Sequence, residues 1–144
     1  MILYLDTSAL VKAYVEEAFS QKIRSEMSQA QIVASHPIAY VEAHAAFSRA
    51  KRENKISEQE FDSVRSSFRS DWENYLLFEN TTELLKQAAD LADMLSLRAY
   101  DSVHLAAANL LAKQSKLPVK FACFDRHLNK AANILGLLLV DLAD

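Results

Sequence analysis

Four carboxylates stand where chemistry is done. Asp6 directly follows the apolar run Ile2-Leu3-Tyr4-Leu5, and Asp125 directly follows Val119-Lys120-Phe121-Ala122-Cys123-Phe124. Asp101 follows Leu97-Arg98-Ala99-Tyr100, and Glu42 has Ile38, Ala39, Ala45 and Ala46 at helical spacing around it. Two carboxylates about 4 Å apart repel by about 4 kcal/mol at an effective dielectric of about 20. A group of them persists only with a proton or a cation among them. Oxygen donors suit a hard divalent cation, Mg²⁺ or Mn²⁺, which keeps several waters. One such water can become a nucleophile, and a second ion can stabilise a leaving oxygen. That is the machinery of phosphodiester hydrolysis. Each acid also has a local alternative. Asp6, Asp101 and Asp125 can each cap a helix, worth about 1 kcal/mol. Glu42 can face solvent, because a glutamate on a small apolar face is costly unless compensated.

The elements that must position these acids are short apolar strands alternating with helices. Residues 2–5, 31–35, 76–78, 119–124 and 137–141 read as strands. One or two helices are expected over about 8–28, with a cap among Asp6, Thr7 and Ser8. Pro37 suits the first turn of a helix running to about Asn54. Ser57-Glu58-Gln59-Glu60 is a capping box ahead of Phe61, Val64, Phe68 and Trp72 on one helical side. Thr82 to about Ser96, then Asp101 to before Pro118, read as helices. A last short helix near 126–135 is closed by Gly136 as the residue after its C-cap. The pattern predicts an α/β fold with a mostly parallel sheet. In such sheets ligands bind beyond the carboxyl ends of the strands, where Asp6 and Asp125 would stand.

Composition narrows the chemistry. The chain has 144 residues, one glycine, one cysteine, 51% hydrophobic residues and a formal charge of −3. That length predicts a single domain over residues 1–144. A single glycine excludes a dinucleotide-binding G-x-G-x-x-G turn, a Walker A loop and a G-x-S-x-G elbow. One cysteine excludes an intrachain disulfide and a Cys-rich zinc site. The acidic balance argues against coating nucleic acid by charge alone. The N-terminal run lacks a basic region and is interrupted by Asp6, so no signal peptide or membrane span is expected. A cytoplasmic location is the corresponding expectation.

Four segments in order, Leu3-Tyr4-Leu5-Asp6-Thr7-Ser8-Ala9-Leu10-Val11-Lys12, Ala39-Tyr40-Val41-Glu42, Leu97-Arg98-Ala99-Tyr100-Asp101-Ser102-Val103-His104-Leu105-Ala106 and Phe124-Asp125-Arg126-His127-Leu128, together resemble the PIN-domain family, most closely its VapC-type toxins. The resemblance implies a three-layer fold, with a central mostly parallel sheet of four or five short strands flanked by helices. It implies a Mg²⁺- or Mn²⁺-dependent endoribonuclease acting as the toxin of a toxin–antitoxin pair. RNA is the implied substrate, cleaved to a 5′-phosphate and a 3′-hydroxyl. A homodimer and a cognate antitoxin whose tail enters the acidic groove are implied partners. Asp6, Glu42, Asp101 and Asp125 match the acidic quartet, and Ser8 matches a hydroxyl near the metal. Three positions depart from the pattern. Cys123 stands where many relatives carry Thr or Ser, and Ser96 and Ala99 stand where many carry glycine.

Other residues carry less. His104, three residues after Asp101, is expected to be a packed, hydrogen-bonded side chain rather than a ligand. Arg49, Lys51, Arg52, Lys55, Arg65 and Arg69 form a basic group that could track phosphates as a set, although each alone reads as a solvated charge. Phe61, Phe68 and Trp72 read as core or dimer contacts. The rival function is a non-catalytic binding module whose acidic pocket receives a basic partner segment. An aspartyl-nucleophile phosphatase would call for D-x-D after the first strand, where this chain has Asp6-Thr7-Ser8.

Overall fold

The structure, a computed structural model, describes residues 1–142. Its central strand is Ile2–Leu5 (β1), with every side chain buried. Strands buried on both faces read as continuous apolar runs rather than alternating ones, which is why Ile-Leu-Tyr-Leu has no charged member. Ile2 and Tyr4 enter one core and Leu3 and Leu5 the other. The second core is covered by Thr7–Tyr14 (α1), Ser20–Gln29 (α2), Ile38–Arg52 (α3) and Glu58–Trp72 (α4). The first is covered by Thr82–Leu95 (α5), Ala99–Gln114 (α6) and Arg126–Ile134 (α7). Strands Ile32–Ser35 (β2), Leu76–Leu77 (β3), Val119–Ala122 (β4) and Leu138–Leu139 (β5) complete the sheet.

The sheet has five strands in the order β3-β2-β1-β4-β5, and every pairing is parallel. The expected helix-flanked parallel sheet is therefore found. The chain winds outward from β1 in both directions, so the order reverses between β1 and β4. The crevice beyond their carboxyl ends is the switch point where open α/β sheets bind ligands. β1 and β4 are in register to their last residues, Leu5 opposite Ala122. The Asp6 amide then donates to the Ala122 carbonyl at 3.1 Å.

Most boundaries agree with the periodicity, and the differences have local causes. The capping box is formed in both directions between Ser57 and Glu60. Residues 8–28 resolve into two helices, and α3 stops at Arg52. β4 ends at Ala122 rather than 124, because two side chains take the next backbone groups. The Phe124 amide donates to Ser8 Oγ (3.1 Å), and Asn129 Nδ2 donates to the Cys123 carbonyl (3.0 Å). β5 keeps only two of the five residues expected. α6 begins two residues before Asp101, with Arg98 at its cap position. Its Leu105, Ala106, Ala107 and Ala108 are all fully buried, so small side chains let it lie against both α5 and the sheet. Among the described residues no helix is long and apolar enough to cross a membrane.

Ser96 shows what the missing glycine costs. It ends α5 in the left-handed region, φ 54°, where a Cβ is strained and glycine is not. Ser96→Gly is expected to stabilise the chain by about 0.5–1 kcal/mol. Urea denaturation checks this; an unchanged or lower midpoint would refute it.

Candidate active site

The four carboxylates are reached from four separate segments. Asp6 is carried on the end of β1, Asp125 on the loop after β4, and Glu42 on α3, which enters directly after β2. Asp101 lies in the first turn of α6. That helix runs into β4, so its N-terminus is at the carboxyl edge of the sheet.

Asp6 is the most buried of the four, 3% exposed. It caps α1: Oδ1 accepts from the Ala9 amide at 2.9 Å and from Ser8 Oγ at 2.7 Å. Among the described residues both side-chain bonds fall on Oδ1, which leaves Oδ2 as the available lone-pair pole. Burial raises its pKa to about 6, against the lowering pull of His104 and of the Ala9 and Ser8 hydrogen bonds, with the Asp101 charge adding to the rise. Ser8 also accepts the Phe124 amide. Its hydroxyl thereby fastens the Asp6 loop to the Asp125 loop.

Glu42 does not face solvent. Thr7 Oγ1 donates to its Oε1 at 2.6 Å, and His104 Nε2 lies 3.2 Å from the same oxygen. Burial works to raise its pKa, but the hydrogen bonds from His104 and Thr7 outweigh that and hold it below the usual glutamate value. His104 is the hub. Its ring is 2% exposed, with Nδ1 2.9 Å from Tyr4 Oη and Nε2 3.2 Å from Thr7 Oγ1. A carboxylate accepts only, so Nε2 carries the hydrogen toward Glu42. In the neutral ring Nδ1 then accepts from Tyr4. The expectation of a packed, hydrogen-bonded histidine holds, and the ring orients one of the acids.

Asp101 and Asp125 share a cation. Arg98 Nε donates to Asp101 Oδ2 at 3.0 Å, and its Nη2 donates to Asp125 Oδ2 at 3.3 Å. Asp125 also caps α7 through the Leu128 amide, 2.8 Å from Oδ1. Asp101 caps nothing, so the local alternative considered for it is removed, while those for Asp6 and Asp125 are realised. Cys123 occupies the departure from the usual hydroxyl. Its Sγ is buried and lies 3.6 Å from the Asp125 carbonyl oxygen. Burial, then the Asp6 charge, pushes this thiol well above its ordinary range, so it acts as a neutral donor there.

Three contributors were not among the site residues read from sequence: Tyr4, Thr7, read there only as a possible helix cap, and the paired Arg98. Only Arg98 had a usable signal, since residues three apart on a helix are neighbours. The bonds of Tyr4 and Thr7 to His104 span 100 and 97 positions, and that of Thr7 to Glu42 spans 35. The basic group at the end of α3 is largely self-neutralised: Arg49 and Lys55 pair with Glu53, Lys51 with Glu58 and Arg65 with Asp62. Phe61 and Phe68 are core residues, and Trp72 packs partly buried against them. A cleft of about 650 Å³ lined by Val11, Val15, Ala46 and Ala50 contains none of the four acids.

A divalent cation has the right donors here but no closed cage. Among the described residues no three His, Cys, Asp or Glu side chains are grouped tightly enough to hold a metal ion. Mg²⁺ is commonly bound through one or two carboxylates, with waters completing the octahedron. The oxygen-only donors and the open Oδ2 pole of Asp6 suit that mode.

Comparison with known proteins agrees with this architecture. Residues 3–134 match the family model described as the PIN domain. Two proteins of Mycobacterium tuberculosis, Ribonuclease VapC45 of strain CDC 1551 / Oshkosh and Ribonuclease VapC49 of strain ATCC 25618 / H37Rv, are each 30% identical over 135 residues, covering 94% of this chain and 92% of theirs. The crystal structure of FitAcB from Neisseria gonorrhoeae superposes with a TM-score of 0.63 at 15% identity, over 98% of this chain and 97% of that one. The last likeness bears on the fold alone. A match spanning nearly every element, with relatives of this identity and coverage, means that the chain belongs to the PIN domain family and is of its VapC type.

Proposed function

We propose that this chain is a metal-dependent endoribonuclease, the toxin of a toxin–antitoxin pair, which hydrolyses RNA phosphodiester bonds. One observation carries the reading. Ser8 joins Asp6 to the Asp125 loop, Arg98 joins Asp125 to Asp101, and Glu42 is held at the same sheet edge by Thr7, the chain neighbour of Asp6, and by His104. The two relatives named as ribonucleases support the reaction class. Asp6 and Asp101, with Glu42 and Asp125, would hold Mg²⁺ or Mn²⁺, and such an ion supplies an activated water and neutralises developing phosphate charge.

The chain's own residues do the rest. Ser8 and the Ala9 amide fix Asp6 by one oxygen and leave the other as its available acceptor. Thr7 and His104 hold Glu42 ionised in a half-buried place. The exposed cations Arg98 and Arg126 flank Asp125, where a polyanion could be held beside an acidic centre. Attack of water needs no 2′-hydroxyl, so a preference for RNA would come from shape and single-stranded loops. The products would be a 5′-phosphate and a 3′-hydroxyl. A homodimer and an antitoxin whose basic segment enters the crevice complete the proposal.

The test is cleavage of a single-stranded RNA by purified chain. EDTA should abolish it, and Mn²⁺ or Mg²⁺ added in excess should restore it. Undiminished cleavage in EDTA would refute metal dependence. A second reading is favoured by Arg98 itself. The acids accept a guanidinium, as they would in a non-catalytic module that binds a basic partner. Absence of both metal binding and cleavage in partner-free protein would select that module.

A further inference from the structure

Arg98 stands where a cation is poorly placed. It occupies the cap position of α6, makes no side-chain cap bond, and lies at the positive end of the helix dipole. Its side chain is 77% exposed, yet it reaches across 27 positions of sequence to Asp125 while also binding Asp101. The neighbouring carboxylates raise its pKa, Asp101 by hydrogen bond and by charge and Asp125 by charge. Two acids proposed as metal ligands are thus bridged by a monovalent cation on a flexible stem. An exposed ion pair of this kind is weak, so a divalent ion could displace it. The released guanidinium keeps a planar fork that matches a phosphate, and it would stay one side chain away from the acids that had held it.

From this geometry we infer that Arg98 is an exchangeable counter-ion: it neutralises Asp101 and Asp125 before a divalent cation binds, and then turns to grip a substrate phosphate. This rests on the proposed nuclease reading for its second half only. The exchange makes two opposite demands on one residue. Arg98 competes with the metal, and it assists the RNA.

Arg98→Gln separates them. Calorimetric titration of the RNA-free chain with Mn²⁺ should show about fivefold tighter binding in the variant, the loss of a weak competitor. Kinetics on a fluorescent single-stranded RNA at saturating Mn²⁺ should show KM raised by about tenfold with kcat little changed. Arg98→Lys, which keeps the charge but not the fork, should return the Mn²⁺ affinity to that of the native chain and leave KM raised. Equal or weaker Mn²⁺ binding by Arg98→Gln, or an unchanged KM, overturns the exchange. The side chain is exposed, so folding is not at stake, and a melting curve verifies it. If the native chain binds Mn²⁺ but cleaves nothing, the nuclease reading fails and the phosphate grip with it, while the Mn²⁺ titration of Arg98→Gln still decides the counter-ion half. If the native chain cleaves and the Arg98→Gln affinity is unmoved, only the exchange fails.

Discussion

Asp6→Asn is expected to abolish RNA cleavage and, at the same time, to stabilise the fold. The activity loss is expected to reach about 10³-fold, since in the proposed function a carboxylate that would hold the metal ion is replaced by a neutral amide. The stability gain has a separate origin. Asn caps helices as well as Asp does, so the bond from the Ala9 amide survives. What disappears is a buried negative charge. The folded-state pKa of Asp6 is about 6, against an ordinary 3.8, because burial disfavours ionisation. A raised carboxylate pKa means that the folded chain binds this proton more tightly than the unfolded chain does. Ionisation of Asp6 therefore opposes folding. The penalty is absent below the unfolded pKa, grows as pH rises from about 4 to 6, and is complete above that, at about 3 kcal/mol. Asp6→Asn should melt higher than the native chain at pH 7 to 8, and the two should converge below pH 4. Mg²⁺ should narrow the gap at neutral pH by stabilising only the native chain. Scanning calorimetry across this range checks it. A variant that melts lower than the native chain at pH 7.5 contradicts the burial argument; retained cleavage contradicts the site.

That result would also show why so much of this site was legible in one sequence. Asp6 ends a strand whose four residues are all apolar, because both faces of β1 are covered. An acid directly after such a run has to stand at the rim of the sheet. Gly136, with φ 81°, and the Ser57 box mark ends and starts that local chemistry demands. Glu42 was legible only as a conflict, a charge among alanines, because its resolution lies elsewhere. Thr7 and His104 meet it across 35 and 62 positions, and no helical or strand period connects these. The end of β4 was misplaced for the same reason. Cys123 and Phe124 are apolar and suit a strand, but Asn129 and Ser8 take their backbone groups. Arg98 illustrates the remaining gap: its spacing to Asp101 is a local signal, whereas its reach to Asp125 depends on two loops coming together.

Asp101→Asn should silence the enzyme without the gain in stability, and that contrast makes the pair of variants informative. Asp101 is less deeply placed than Asp6, caps no helix, and has Arg98 as its partner. Removing its charge leaves Arg98 still bonded to Asp125. The pair lost is exposed on the arginine side and weak, and a negative charge near the N-terminus of α6 is lost with it, worth about 0.3–1 kcal/mol. The melting temperature should therefore hold or fall slightly at pH 7. Cleavage should drop by about 10³-fold, because Asp101 would share the metal and the developing charge with Asp6. Co-expression gives the same contrast in cells: the native chain should arrest growth and Asp101→Asn should not, at equal soluble protein. Cleavage by a purified variant within about tenfold of native, with its melting curve unchanged, would remove Asp101 from the reacting centre and leave it as a surface partner of Arg98. Joint failure of Asp6→Asn and Asp101→Asn to reduce cleavage would place the nuclease activity, if present, away from this sheet edge altogether.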